Sequence, residues 1–292
     1  MKKETVGEIS AAAQVMREFA TKVPVTNTGH LVDTCGTGGD AAHTFNISTT
    51  AAFVAAAAGA RVAKHGGRSV SSTCGSADVL EALGARIDTA PAAARAMLDE
   101  IGFCFLFAPA YHPGMKHAAL VRRQLAVRTV MNLLGPCINP ARPPVQLLGV
   151  ADPTMLRRIA QTLDAVGVLQ ALVVHGSGLD EVALHGETRA IRLSNGEMTE
   201  LQITPEDAGI ERAALKVVTG GDVAENATRL KLLLAGQGTQ AENDIVILNS
   251  AALLLTAGKA ADLTDGAGQA REALLSGKAG AVLDKFVEAS NG

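Results

Sequence analysis

The chain has 292 residues, 48% of them hydrophobic and 19% charged, with a formal net charge of −3. That composition supplies apolar material for one large core or two smaller ones and excludes a disordered or low-complexity chain. The small negative charge gives no bulk case for nucleic acid or an anionic membrane surface, and the alanine-rich run Ala51–Ala60 is too short to span a bilayer.

Taken in chain order, residues 4–22 place Val6, Ile9, Ala13, Met16 and Phe19 at helical spacing among charged residues, which predicts an amphipathic helix. "TNTGH" at 26–30 breaks it. The opening "MKKETVGEIS" has basic residues with no apolar stretch behind them, so it does not read as a secretory signal. The chain then alternates. "LVD" reads as a strand, 33–45 as a loop and Asn46–Gly59 as a helix; "RVAKHG" is a strand and Ala77–Leu83 a helix. "FCFLFAP" is a buried strand before a helix from about Lys116 to Gln124, and "QLLGV" a strand before a helix over Pro153–Val166. "ALVVHGSG" is a strand ending in a glycine loop. Strand, glycine loop and helix in this rhythm imply parallel strands with helical crossovers. Residues 182–204 interrupt it as a β-hairpin excursion turning at Asn195-Gly196. The tail from about 222 to 290 is mostly helical. "GPCINPARPP" at 135–144 holds four of the ten prolines and reads as a stiff connector or domain boundary. Cys35, Cys74, Cys104 and Cys137 form no C-x-x-C pair, so reduced thiols and a cytoplasmic location are expected.

Three loops carry candidate chemistry. "DTCGTGGDAAHTFNIST" at 33–49 crowds glycines before a helix start, where bare backbone and first-turn N–H groups favour an anion. It lacks the Gly-Lys-Ser/Thr of a P-loop and fails the last glycine of a dinucleotide fingerprint, and a structural turn would need similar residues. "KHGGRSVSSTCGS" at 64–76 joins Lys64, His65 and Arg68 to the adjacent glycines Gly66 and Gly67 and to five hydroxyls, which suits a diphosphate. "HGSGLDE" at 175–181 offers adjacent carboxylates, Asp180 and Glu181, suited to Mg²⁺ beside phosphate, though solvated acids on a turn would look the same. Because all three loops follow strands, they converge on one crevice at the carboxyl ends of a parallel sheet. No serine elbow, H-E-x-x-H or His-paired cysteine offers a nucleophile.

These loops, with "HPGMK", "VRRQLAVRT" and "NLLGPCINPA", closely resemble the anthranilate phosphoribosyltransferase family of tryptophan biosynthesis, in motif order from Lys2 to near the C-terminus. The resemblance implies the transfer of phosphoribose from 5-phosphoribosyl diphosphate to anthranilate, with Mg²⁺ and usually a homodimer. It implies an α/β fold: a parallel-stranded sheet with flanking helices in a large domain (31–111 and 135–292), beside a small all-helical domain (1–30 and 112–134) whose preceding helices are missing here. Carried over by position, Gly36, Gly39, Asp40, Thr44, Asn46, Ile47, Ser48 and Thr49 contact phosphoribosyl diphosphate. So do Lys64, Gly66, Arg68, Ser69, Ser71, Ser72 and Ser76. Gly36, His65, His112, Arg122, Gly135 and Pro136 face anthranilate. Ser48, Asp180 and Glu181 hold the metal, and Lys64 joins the two acids in catalysis.

The chain departs from the family pattern at Gly67, where the family has an asparagine that helps hold anthranilate, and at Ala41, where it has glycine. "LAVRT" at 125–129 replaces "LGVRT". Three alternatives stand beside the main reading. One is a relative with another aromatic acceptor, and one a pyrimidine nucleoside phosphorylase relative, which "TFNIST" and "RSVSS" match poorly. The last is a non-catalytic nucleic-acid-binding relative, which would predict a basic surface and loss of the acidic pair.

Overall fold

The computed structural model describes residues 4–26, 28–69, 73–115 and 130–292. The helix expected over Lys116–Gln124, and with it Arg122, Ser71 and Ser72, lies outside the described residues. Helix α1 (Val6–Phe19) begins at Thr5. The Thr5 hydroxyl accepts from the Glu8 amide at 3.3 Å, and Glu8 Oε2 accepts from the Thr5 amide at 2.9 Å. This reciprocal capping box sets the start. Ile9 and Ala13 are buried as their spacing predicts, but Phe19 is 76% exposed. The last buried place is taken by Arg17, whose Nε donates to the Cys137 carbonyl at 2.7 Å.

One sheet of seven strands runs in the order β3-β2-β1-β4-β5-β6-β7. Its strands are β1 (Leu31–Gly36), β2 (Arg61–Gly66), β3 (Phe103–Phe107), β4 (Val145–Gly149), β5 (Gln170–Gly176), β6 (Thr188–Ser194) and β7 (Glu197–Ile203). The first five are parallel. They are covered on both faces, so β3 (FCFLF) and the ALVV stretch of β5 read as apolar runs with no alternation, while β1 and β2 carry the buried polar residues Asp33, Lys64 and His65. The predicted hairpin is present, with Asn195 at φ 49° and Gly196 at φ 88° making the turn. It is not an excursion from the fold, however, because β6 pairs antiparallel with β5 along its whole length and extends the sheet.

Helix α2 (Ile47–Ala57) follows β1, and α3 (Ser76–Ala82) and α4 (Pro91–Ile101) follow β2. No reading of the sequence anticipated α4; Pro91 in its first turn and Gly102, left-handed at its end, are its boundary signals. Helix α5 (Leu156–Ala165) precedes β5. The tail folds into α6 (Val223–Leu234), α7 (Gln240–Thr256), α8 (Leu263–Leu275) and α9 (Lys278–Asn291). The larger core packs α2 between the sheet and the tail helices, so α2 is buried almost all round. Phe53, Phe103 and Phe286 stack at its centre, with ring centroids 4.2 to 5.9 Å apart. A second core joins Ile9 and Ala13 of α1 to Leu134, Cys137 and the apolar face of α5. Among the described residues no helix is long and apolar enough to cross a membrane.

The order of the parallel strands places the site. From β1 the chain builds outward through β2 to β3, then returns to β4 on the other side of β1. That reversal leaves a crevice outside the carboxyl ends of β1 and β4, the topological switch point where open α/β sheets bind ligands.

Candidate active site

Gly36 and Gly149 end β1 and β4 and face one another across the ladder. The turn after β5 brings Asp180 over both. A Cβ on Gly36 would lie 2.2 Å from Asp180 Oδ2, and one on Gly149 would lie 1.6 Å from the Asp180 carbonyl oxygen. Gly36 is among the expected site residues, and its bareness serves Asp180 as much as any ligand. Gly149 is a requirement the sequence reading missed; only its place at the end of "QLLGV", beside the switch point, hinted at it.

The first loop meets the acids directly. The Gly38 amide donates to Asp180 Oδ2 at 2.7 Å and the Ser48 amide to Glu181 Oε1 at 3.1 Å. The α2 N-terminus, read from sequence as a phosphate site, therefore spends a first-turn amide on Glu181. Asp40 Oδ1 accepts from Ala42 N at 3.1 Å, and its other oxygen lies 3.5 Å from the Asp180 amide. Asn46 occupies the N-cap position but makes no side-chain cap; its Nδ2 donates to the Cys74 carbonyl at 3.1 Å. The buried Ile47 and Thr49 side chains point into the protein, which leaves their backbone as the part available to a ligand. Ala41, where glycine was expected to matter, has a φ of 58°.

Burial raises the carboxyl of Asp180 to about 7, with Asp40 adding to the shift. Burial likewise raises Glu181 to about 8, with the charge of Asp180 adding to it. Lys64, 2% exposed within β2, donates to the Thr34 carbonyl at 2.6 Å and to Ser48 Oγ at 3.3 Å. Its pKa is lowered by burial, against the raising fields of Cys35, Asp33 and the two acids.

The second loop is organised by Asp78, which accepts from Ser69 N at 3.0 Å and Gly75 N at 2.9 Å. Arg68, expected in the diphosphate grip, is turned onto α3 instead, at 3.0 Å from Asp78 Oδ1 and 2.9 Å from Glu81 Oε1. Ser76 Oγ donates to the Gly67 carbonyl at 3.3 Å and packs where a Cβ on Gly66 would fall.

On the acceptor side the expected neighbours do meet. His65 Nδ1 lies 3.1 Å from the Gly135 carbonyl, and its ring is 5.1 Å from that of His112, edge to face. Pro136 is tied in through its carbonyl, which accepts from Gln146 Nε2 at 2.7 Å. Burial lowers the His65 pKa to about 3, with His112 adding to the shift, and His65 Nε2 is buried with no hydrogen-bond partner among the described residues. Behind this side Asp33 Oδ1 accepts from the His65 amide at 3.1 Å, and Asn139 Nδ2 donates to the Ala63 carbonyl at 2.8 Å. Neither Asp33 nor Asn139 stood out in the sequence. Among the described residues, a Cβ on Gly67 meets nothing within 4 Å.

No trio of His, Cys, Asp or Glu among the described residues is arranged to hold a metal by itself. The donor set nonetheless fits Mg²⁺, which takes hard oxygens from one or two carboxylates and completes its shell with water and substrate phosphate. Two buried carboxylates with raised pKa, backed by a third, are short of a cation.

Phosphate-type loops that converge with an acidic pair on a switch point define an enzyme acting on a phosphorylated, anionic substrate. The α/β-domain model of the glycosyl transferase family matches residues 28–280. The anthranilate phosphoribosyltransferase of Sorangium cellulosum is 53% identical over 290 residues, covering 99% of this chain and 83% of that protein. The crystal structure of the anthranilate phosphoribosyltransferase from Thermus thermophilus superposes with a TM-score of 0.93 at 43% identity, over 99% of this chain and 86% of that one. The Saccharomyces cerevisiae enzyme in complex with PRPP and Mg superposes with a TM-score of 0.91 at 28% identity, over 98% and 80%. The chain belongs to the anthranilate phosphoribosyltransferase family.

Proposed function

We propose that this chain transfers the 5-phosphoribosyl group of 5-phosphoribosyl diphosphate to the amine of anthranilate, releasing diphosphate, as a cytoplasmic, Mg²⁺-dependent enzyme of tryptophan biosynthesis that works as a homodimer. The observation that carries this reading is the meeting of the 36–49 loop, Lys64 and the Asp180-Glu181 pair at one switch point, in a chain similar to these transferases along its whole length.

In this reading the diphosphate lies against the glycine loop and Lys64, whose ammonium offsets the charge that grows on the leaving oxygen. Bound Mg²⁺, held by Asp180 and Glu181 with Ser48, supplies further charge neutralisation to the diphosphate. Breaking the bond from C1′ builds oxocarbenium character on the ribose, as in glycoside transfer. Anthranilate's amine is an arylamine, neutral at pH 7, so it needs placement more than deprotonation. That is consistent with a site without a nucleophilic side chain. His65, His112, Gly135 and Pro136 place the acceptor ring, and Arg122 pairs with its carboxylate. The buried His65 Nε2, without a hydrogen-bond partner among the described residues, supports a substrate on this side.

The test mixes protein, Mg²⁺, phosphoribosyl diphosphate and anthranilate and follows the loss of anthranilate fluorescence. Mg²⁺-dependent loss is expected. A folded sample that binds the donor yet leaves anthranilate unchanged overturns the acceptor assignment.

A further inference from the structure

Outside the reacting groups, one short segment touches both phosphate-type loops. Residues 218–220 run antiparallel to 43–45. Phe45 N donates to the Val218 carbonyl at 3.1 Å, Gly220 N donates to the His43 carbonyl at 2.6 Å, and Thr44 bridges Thr219. The approach is close enough that a Cβ on Gly220 would lie 2.8 Å from the Thr44 carbonyl oxygen. One residue on, the Gly221 carbonyl accepts from Thr73 Oγ1 of the second loop at 2.9 Å. The two loops also meet directly, through Asn46 Nδ2 and the Cys74 carbonyl. Three segments thus close a ring of hydrogen bonds around the donor side of the site.

Two side chains of α6 hold the shared segment from behind. Asn226, 2% exposed, grips Gly221 at both polar atoms: its Oδ1 accepts from Gly221 N at 2.9 Å and its Nδ2 donates to the Gly221 carbonyl at 3.3 Å. Arg229 donates to the Thr219 carbonyl at 2.5 Å, pairs with Glu242 at 3.2 Å and lays its guanidinium over the Phe45 ring, 5.5 Å from the centroid. Phe45 is the residue just before Asn46 and α2.

We propose that Asn226 and Arg229 are positioning residues for the donor site, acting through Thr219–Gly221 to fix the two phosphate loops relative to each other. Neither touches the reacting groups. Their effect on catalysis rests on the transferase reading above, whereas their effect on loop order does not.

The experiment therefore has two arms. In the first, amide hydrogen exchange of the substrate-free protein is compared with that of Asn226→Ala, Asn226→Asp and Arg229→Met. Peptides covering 36–46 and 73–76 exchange at least tenfold faster together in Asn226→Ala and Arg229→Met, while β6 and β7 keep the parent rates. Asn226→Asp retains the acceptor for Gly221 N and falls between. Faster exchange confined to 218–234, with both loops unchanged, overturns the proposal. In the second arm the KM for phosphoribosyl diphosphate rises about tenfold or more in Arg229→Met, the KM for anthranilate stays within twofold, and Arg229→Lys restores most of the difference. A uniform loss of kcat with both KM values unchanged is the mark of a merely structural role and also overturns it. A parent protein without turnover rejects the transferase reading and leaves the exchange arm to decide this one.

Discussion

The carbonyl oxygen of Asp180 lies where the β-carbon of any other residue at position 149 would be, 1.6 Å from that point. The obstacle is main chain, which no rotamer change relieves. Gly149→Ala must therefore move either the end of β4 or the acidic turn, and a displacement near 1 Å at such a site costs roughly 100-fold in rate. We expect kcat to fall by about that factor or more, with far-UV circular dichroism unchanged. Gly36→Ala meets the Asp180 side chain at 2.2 Å. That carboxylate can turn, so the loss is smaller and comes with weaker Mg²⁺ activation. A Gly149→Ala enzyme with parent turnover contradicts the arrangement.

Glu181 is held up at about 8 by burial and by Asp180, so its ionised form opposes folding when no cation is bound. Glu181→Gln keeps an oxygen for the Ser48 amide while removing the charge. The variant should melt at a higher temperature than the parent in metal-free buffer at pH 8, and should have lost Mg²⁺-dependent turnover. Paired with Asp180→Asn it should abolish turnover with the fold intact. Full activity in the double variant refutes the metal role.

Much of this architecture was legible. The glycine loops, their order after successive strands and the Asn195-Gly196 turn are local signals, and they led to a parallel sheet with one crevice. What escaped was non-local. Gly149 looks like any glycine at a strand end until Asp180 is folded over it. Asn139 looks like an ordinary polar residue until its main-chain partner, the Ala63 carbonyl, arrives from 76 residues away. Arg68 reads as a phosphate ligand because cations beside glycines usually do, yet Asp78 and Glu81 on the next helix claim it here. Phe19 follows the helical stripe faithfully and still ends up exposed. Periodicity marks the face of a helix, while its neighbours decide where along that face the cover stops.

Ala41 sits at φ 58°, between Gly39 at φ 80° and His43 at φ 50°. A left-handed backbone costs an L-residue with a β-carbon roughly 1–2 kcal/mol, partly offset because glycine loses more freedom on folding. Ala41→Gly should be at least as stable as the parent, by up to about 1 kcal/mol in urea unfolding. Ala41→Val should be less stable than the parent, since a branched β-carbon tolerates this region worse. A valine variant with the parent midpoint contradicts the strained loop.

Asp33 and His65 set up opposed pH dependences. Burial raises Asp33 to about 6 from 3.8. Between those values the native state holds more of this proton than the unfolded state, so stability falls as pH rises, by on the order of 3 kcal/mol in all. His65 is lowered to about 3 from 6.5. There the unfolded state holds more protons, and stability rises with pH across that window. Asp33→Asn keeps an acceptor for the His65 amide and leaves the histidine contribution unopposed. Its urea midpoint should climb more steeply than the parent's from pH 4 to pH 6 and lie above it at pH 7. Parallel profiles for the two proteins count against the buried, raised carboxyl.

Gly67 tests the acceptor side, because the described residues leave room for a side chain there and so separate chemistry from sterics. Among the described residues a β-carbon there meets nothing within 4 Å, so Gly67→Asn restores the amide of the family pattern without a clash against them. One regained hydrogen bond contributes about 1 kcal/mol, which corresponds to a KM for anthranilate roughly fivefold lower. The KM for phosphoribosyl diphosphate should change less, because within this loop the Gly67 carbonyl, which accepts from Ser76 Oγ at 3.3 Å and Ala77 N at 3.1 Å, is main chain and stays in place. Steady-state kinetics with each substrate varied in turn reads both values. An unchanged or higher KM for anthranilate would mean that an asparagine amide at this position adds no contact to the acceptor in this chain.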